Sequence, residues 1–272
     1  MIAVIKTFKE SYIDVRGHLL SWVRVAFTPF LIYLIAVIAM GIGFYLSGGM
    51  TYITAEGAVI QHAEQTSAAG GFFNFIYYVF YMLAILVWYI NGFRYAALGE
   101  EGDKWWNFHW NKRLWKMFLY HLLVIVLFAV YGAIAAGVTI GSYFLAENAF
   151  LTALVGIVFG LGFFYLVGRL VLVFLNVAID KKEALRTSWH VMKGNVLHLI
   201  GLFILIWLAI IGLMIVGSVI IVLSGVLLGF VNAMLGYLLM FALAIPFTLF
   251  IWLVAAAITM KAIAIVDKQL TK

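Results

Sequence analysis

The sequence predicts an all-α polytopic membrane protein, with six transmembrane helices in three hairpins, and three observations predict it. Of its 272 residues, 67% are hydrophobic and 10% are charged, with a mean hydropathy of +1.14. That leaves too little polar surface to cover a water-soluble fold. Nearly uncharged apolar runs recur at a length sufficient to span a bilayer, roughly 18 residues or more. All 17 Lys and Arg residues fall on one side of the resulting zigzag.

The runs are Val25 to Ser47, Phe72 to Gly92, Met117 to Leu145, Ala149 to Ile179, Leu199 to Leu228 and Ala233 to Ile265, within a single transmembrane domain over residues 1–272. In lipid each segment must satisfy its own backbone hydrogen bonds, which a helix does. A barrel would show alternating segments of about ten residues instead. Several runs exceed the ~20 residues that cross ~30 Å of hydrocarbon, so they are expected to tilt or to continue as helix beyond the lipid.

Residues 1–21 carry Lys6, Lys9, Glu10, Asp14 and Arg16 ahead of the first run. That run is too long for a signal-peptide core and no small-residue cleavage site follows it, so it is expected to be retained. The chain has no cysteine, which excludes disulfides, thiolate metal sites and lipid attached to Cys. The formal charge of +6 is attributed to a surface facing anionic headgroups rather than to a nucleic-acid partner.

The basic residues sort by connector. Lys6, Lys9, Arg16 and Arg24 precede the first span; Arg94, Lys104, Lys112, Arg113 and Lys116 surround the second connection; Arg169, Lys181, Lys182, Arg186 and Lys193 belong to the fourth; Lys261, Lys268 and Lys272 close the chain. The opposite loops hold Glu56, Glu64 and Glu147 and no Lys or Arg. By the positive-inside rule both termini are expected in the cytoplasm. The hairpin tips then face outward, two of them short, around Glu147-Asn148 and Phe230-Val231-Asn232, and one longer, Gly48 to Gly71. No soluble domain is expected within this chain.

The basic connectors are amphipathic. Ile5, Phe8, Tyr12, Val15 and Leu19 recur at helical spacing, and Leu185, Ser188, Trp189 and Met192 do so within the 180–198 connector, opposite Arg186, His190 and Lys193. Both segments are expected to lie in the interface plane with an apolar face in the acyl boundary. The middle connector sets Trp105, Trp106, Phe108, Trp110 and Trp115 among Lys and Arg. Together with Trp189 and Lys193, its tryptophans are expected to anchor the interface.

An internal repeat is legible. Ser11-Tyr12-Ile13-Asp14-Val15-Arg16-Gly17-His18-Leu19-Leu20 matches Ser188-Trp189-His190-Val191-Met192-Lys193-Gly194-Asn195-Val196-Leu197. Gly17 and Gly194 are expected to end each interfacial helix in the left-handed conformation that glycine accepts. Val177-Ala178-Ile179-Asp180-Lys181 likewise matches Ala264-Ile265-Val266-Asp267-Lys268. A duplicated hairpin unit and a shared interface-turn chemistry both account for these matches.

The run Ala184-Leu185-Arg186-Thr187-Ser188-Trp189-His190-Val191-Met192-Lys193-Gly194-Asn195, following Arg169, resembles a signature of a loose group of bacterial inner-membrane proteins. These are similar to the membrane domain attached to some glycerophosphodiester phosphodiesterases, and Leu98-Gly99-Glu100-Glu101 adds to the likeness. The resemblance implies a bacterial inner-membrane location and a six-helix domain of undefined role. The chain has no room for the phosphodiesterase catalytic domain, so that activity is not implied.

Arg169 is the basic residue deepest in a span. A central Arg costs about 2.5 to 3.5 kcal/mol on insertion scales while each Leu, Ile, Phe or Val returns ~0.3 to 0.6, so its helix inserts regardless of any role. No Asp or Glu is expected buried in a helix to pair with it. Arg169, with Arg94 and Lys261, which each precede an acidic residue by six positions, is a candidate for binding a lipid phosphate or another anion; snorkelling to the interface is the alternative. His121 and His198 are expected to be hydrogen-bonded interface residues, and the pair His62 and Glu64 has spacing unsuited to a helical metal site. Ala133, Gly137, Gly141, Gly156 and Gly160 form small-residue rows expected to pack helices closely within the bundle, or to form an oligomer face. Pro246 is expected to kink the last helix.

Catalytic patterns are absent: no His-Glu-x-x-His, no Asp-rich metal motif, no phosphate-binding glycine loop and no serine paired with a base at a common depth. The expectation is a non-enzymatic membrane protein without cofactor or metal, an accessory or scaffold component that engages membrane lipids, another membrane protein or a second copy of itself. A transporter or channel for a lipid or small anion is the alternative.

Overall fold

The computed structural model describes residues 2–46, 52–53, 59–60, 68–101, 105–146, 148–230 and 232–271. Glu56, His62, Glu64, Lys104, Glu147, Val231, Lys272 and most of the first outer loop lie outside them. The described chain is helical: α1 Val4–Gly17, α2 Leu19–Leu46, α3 Ala68–Leu98, α4 Lys112–Ala146, α5 Ala149–Leu170, α6 Leu172–Ala178, α7 Ala184–Val191, α8 Val196–Gly229 and α9 Ala233–Leu270. The exception is an antiparallel two-residue pair, β1 Tyr52–Ile53 with β2 Val59–Ile60, in which Tyr52 faces Ile60.

Six helical segments are long and apolar enough to cross a membrane. Most run past the expected bounds on the side that carries the basic residues: α2 begins at Leu19, α3 ends at Leu98 and α9 ends at Leu270. The fourth segment is not one helix. It breaks between α5 and α6 at Val171, and the hydroxyl of Ser188 bridges the break, donating to Arg169 O at 2.7 Å and accepting from Leu172 N at 3.2 Å. Asparagines open three of the helices: the side chains of Asn111, Asn148 and Asn232 accept from the first free backbone N–H groups of α4, α5 and α9.

The ends that carry Lys and Arg meet at one level. Arg24, near the start of α2, reaches Glu101 beyond α3; Arg94, near the end of α3, reaches Asp180 beyond α6; Lys181 reaches Asp267 in α9; and Lys261 of α9 reaches Asp14 of α1. The core sits at this same level, where Val15, Trp22, Val25, Met117, Leu172, Leu175, Met192, Leu199, Leu202 and Ile258 are fully buried. Toward the other end the helices expose Leu, Ile, Val and Phe widely. None of the most apolar stretch of α5 is buried within the protein, as expected of a surface solvated by lipid tails.

α1 and α7 rest mainly small residues on the rest of the protein. Thr7, Ser11 and Val15 of α1 are buried, as are Ala184 and Ser188 of α7 and the following Met192. Ile5, Tyr12 and Ile13 point outward, as does Trp189. These buried positions coincide across the repeat, Thr7 with Ala184, Ser11 with Ser188 and Val15 with Met192, and the coincidence continues to Trp22 with Leu199 and Val25 with Leu202. Elsewhere the repeat diverges. Gly194 takes the left-handed conformation at φ 79°, but Gly17 does not: it is the last helical residue of α1, and the chain turns at His18. Asp180 ends α6 with φ 59°, whereas its counterpart Asp267 lies inside α9.

The small-residue rows do not pack the bundle. A side chain added at Gly137, Gly141, Gly156 or Gly160 would meet nothing within 4 Å. Close approach occurs instead where α8 crosses α9, since a Cβ on Gly236 would lie 2.6 Å from Gly225 O and 2.8 Å from Gly229 Cα. Gly236→Leu should therefore destabilise the protein by about 1–3 kcal/mol or more through overpacking. Gly156→Leu should change thermal unfolding in detergent little; equal effects at both positions would contradict this assignment of the crossing.

Candidate functional site

The connector from α3 to α4 is tied down across the start of α2. α3 closes at Gly99, whose φ of 73° only glycine adopts freely. Thr28 of α2 donates to Trp105 O at 3.0 Å and accepts from Asn107 N at 2.7 Å. Asn91 of α3 donates to Asn107 O at 3.0 Å. The Trp105 ring packs edge-on against Phe27, with Arg24 over it at 5.6 Å. Beneath this strap lies a cavity of about 880 Å³, lined by Arg24, Arg94 and Arg113, by Glu100 and Glu101, and by Asn91, Asn107, Asn111 and His109. Its size falls within the range of small-molecule sites, ~300–1,000 Å³.

The charges of the cavity form two groups. Arg94 holds Glu100 in a two-point pair at 2.7 Å and 2.7 Å, donates to Ala178 O at 3.0 Å and stands 3.5 Å from Asp180. Arg113 binds both oxygens of the same Asp180. These contacts join α3, α4 and α6 in one web. The second group is looser: Arg24 meets Glu101 by one contact at 3.4 Å, and Ser21 donates to Glu101 at 2.7 Å. Three guanidiniums of the lining thus pair with two of its carboxylates and with Asp180 beyond it.

The hydrogen bonds from Arg113 hold the Asp180 carboxyl below its ordinary value, and the nearby charges of Arg113, Arg94 and Lys116 act in the same direction; partial burial opposes them. Asp180 also completes the end of α6. Lys181 N bonds Asn176 O at 2.8 Å and Asp180 N bonds Val177 O at 3.2 Å, the paired pattern of a left-handed helix stop.

Arg94, Arg169 and Lys261 do not converge. Only Arg94 lines the cavity. Lys261 pairs with Asp14 at 3.1 Å. Arg169 is buried, stacked 4.4 Å from the Trp189 ring centroid and 5.7 Å from that of Tyr165, and its Nε and Nη1 have no hydrogen-bond partner. Asp267 of α9, two residues beyond the expected sixth run, is 7% exposed and pairs with Lys181 at 2.7 Å rather than with Arg169. Nor are the histidines hydrogen-bonded through Nδ1: His121 packs against Tyr89 and Phe174, and both its Nδ1 and that of His198 are buried without a partner. Trp105, Trp106, Trp110, Trp115, Trp189 and Lys193 are exposed, where anchors would be.

Sequence reasoning singled out neither Arg24 nor Arg113 among the basic residues, and missed the asparagines entirely. Asn111 directly before the charged start of α4 was the one available signal, a helix cap. Among the described residues no group of three or more His, Asp or Glu is arranged to hold a metal ion.

Fold and site together define a class: a helical membrane protein with six membrane-length helical segments and, at its basic end, a polar cavity lined among the described residues by three arginines and two glutamates. No protein-family profile, curated protein or solved structure matches the chain.

Asp180→Asn keeps a residue tolerant of the left-handed conformation while removing the charge. Because Asp180 is partly exposed, the loss should be modest, about 1 kcal/mol. The folded-state value is lowered, so the carboxylate's contribution is complete above its ordinary 3.8 and is lost as pH falls through the lowered value. Wild type should therefore exceed Asp180→Asn in thermal stability by a constant margin above about pH 5 and converge with it in stronger acid. Thr28→Val should free the strap at a cost of about 1–3 kcal/mol, read as faster proteolysis between residues 99 and 111.

Proposed function

We propose that this chain is a non-enzymatic, multi-pass protein of a bacterial inner membrane, with both termini cytoplasmic, that binds membrane lipid at its cytoplasmic face as an accessory or scaffold component. The observation that carries the reading is the cavity beneath the strap, which gathers three guanidinium donors beside a connector whose Trp105, Trp106 and Trp110 are exposed. Arginine presents forked donors suited to phosphate oxygens.

Orientation is supported by the confinement of every Lys and Arg to one set of connectors. In this reading the helices form three hairpins: α2 packs on α3, α4 on α5 and α8 on α9. α1 and α7 lie in the interface, because they rest small residues on the protein and turn Ile5, Tyr12, Ile13 and Trp189 outward among exposed Lys6, Lys9, Arg186 and Lys193. The matched burial of the two segments supports a duplicated unit. The lipid site is built by Arg94 with Arg24 and Arg113. Arg169 is placed outside it, since a guanidinium stacked on Trp189 is not among the residues lining the cavity. That separation favours an accessory role over transport through the bundle past Arg169.

Purification in mild detergent followed by mass spectrometry of the retained lipid tests the reading. Arg24→Ala should lower phospholipid per protein severalfold, and Arg169→Ala should leave it unchanged. Wild-type protein that retains no phospholipid selectively would overturn the proposal in favour of a transporter or channel for a lipid or small anion.

A further inference from the structure

The cavity does not stand alone. On the far side of Leu114 an apolar groove of about 400 Å³ runs between α3 and α4, lined by Tyr78, Val79, Met82, Leu83, Trp110 and Phe118 among others. Leu114 lines both spaces, and the walls are consecutive in sequence: Val87 faces the cavity and Leu86 the groove, Asn111 the cavity and Trp110 the groove. α3 and α4 pack on each other sparsely, which is what leaves the groove open. A polar chamber thus adjoins an apolar trough through one shared wall, the division of a phospholipid into headgroup and chain.

The charge of the chamber selects among headgroups. Among the described residues, Arg24, Arg94 and Arg113 pair with Glu100 and Glu101 of the lining and with Asp180 beyond it, so a purely anionic headgroup would gain from the arginines and be repelled by the carboxylates. A headgroup carrying both a phosphate and an ammonium suits the balance. The web of Arg94, Arg113, Glu100 and Asp180 is closed by two-point pairs. The looser pair, Arg24 with Glu101 at a single 3.4 Å contact, retains free donors and acceptors, and both side chains are about one third exposed, 33% and 37%.

A primary ammonium donates hydrogen bonds to a carboxylate, which a trimethylammonium cannot do. The usual aromatic alternative for a quaternary ammonium is also taken, since Trp105 already lies between Phe27 and Arg24. We propose that the chamber and groove together form a site for a phosphoethanolamine-headed phospholipid, with Arg24 on its phosphate, Glu101 on its ammonium and one acyl chain along the α3–α4 groove. The assignment rests on the lipid-binding reading above and names the lipid.

The protein reconstituted in nanodiscs of equal phosphatidylethanolamine, phosphatidylglycerol and phosphatidylcholine, then released for native mass spectrometry, reads the preference directly. Phosphatidylethanolamine should be enriched on wild type. Glu101→Gln removes the carboxylate that would face the ammonium and should shift the ethanolamine-to-glycerol ratio toward glycerol by about tenfold, the order expected for loss of a charge-assisted hydrogen bond. Val79→Trp, at an exposed groove position, should lower retention of all lipids without changing the ratio. On wild-type protein, chain-free glycerophosphoethanolamine should compete at least tenfold more weakly than the lipid.

Enrichment of phosphatidylglycerol on wild type would overturn the headgroup assignment while leaving lipid binding intact. Equal competition by glycerophosphoethanolamine would overturn the groove. Enrichment of no lipid would overturn this proposal together with the broader reading.

Discussion

Arg94 is the tie on which the basic end of the molecule depends. Its guanidinium spends its donors on Glu100 in the connector, on the carbonyl of Ala178 at the end of α6 and, across 3.5 Å, on Asp180. A helix end leaves carbonyls without partners and a partial negative charge, and a cation placed there answers both. Through Asp180 the same tie reaches Arg113 and the start of α4. Three segments distant in sequence are thus fixed in register by one side chain, 19% exposed, where water competes weakly. The strap and cavity exist because these ends are held level.

A second constraint runs through the serines of the repeated segment. Ser188 supplies both a donor and an acceptor to the backbone at the α5–α6 break, so the break leaves no bare amide at Leu172. Such a position admits only a small hydroxyl residue, because anything larger would hold α7 away from the backbone it serves. Ser11 is equally buried, but its hydroxyl turns back to Thr7 O while Thr7 accepts from Gln269 of α9. The two segments share a burial pattern and differ in how they dock. That difference follows from what each meets: a broken helix in one case, a continuous one in the other.

The sequence made the membrane class and the placement of six apolar runs legible because lipid imposes a length and a composition on each run separately. Anything decided by one segment against another was less legible. Amphipathic periodicity located α1 and α7 and assigned Ile5 and Tyr12 to a lipid-facing side, but did not mark Thr7 and Ser11 as the residues that meet the protein. In a membrane the apolar residues have lipid to face, so the small ones are free to make the protein contact. Glycine spacing failed for the same reason, since the rows of α4 and α5 face open space and the close crossing belongs to Gly225, Gly229 and Gly236. The cavity was least legible. Arg24 and Glu101 lie 77 residues apart, and nothing local to either marks the pairing.

Arg169 shows why depth alone is a poor guide to function. A buried guanidinium with Nε and Nη1 unbonded forgoes hydrogen bonds worth on the order of 1–3 kcal/mol. A desolvated cation–π contact, here with Trp189 at 4.4 Å, returns about 2. The stacking offsets part of that cost and seats Trp189 beside α5. Function is better sought where charges are balanced yet accessible. The formal excess of +6 does not reside in the cavity, whose guanidiniums are matched. It is spread over exposed residues such as Lys6, Lys9, Lys112, Lys116, Lys182 and Lys193. The charge excess is thus carried outside the chamber, whose arginines each have a carboxylate partner.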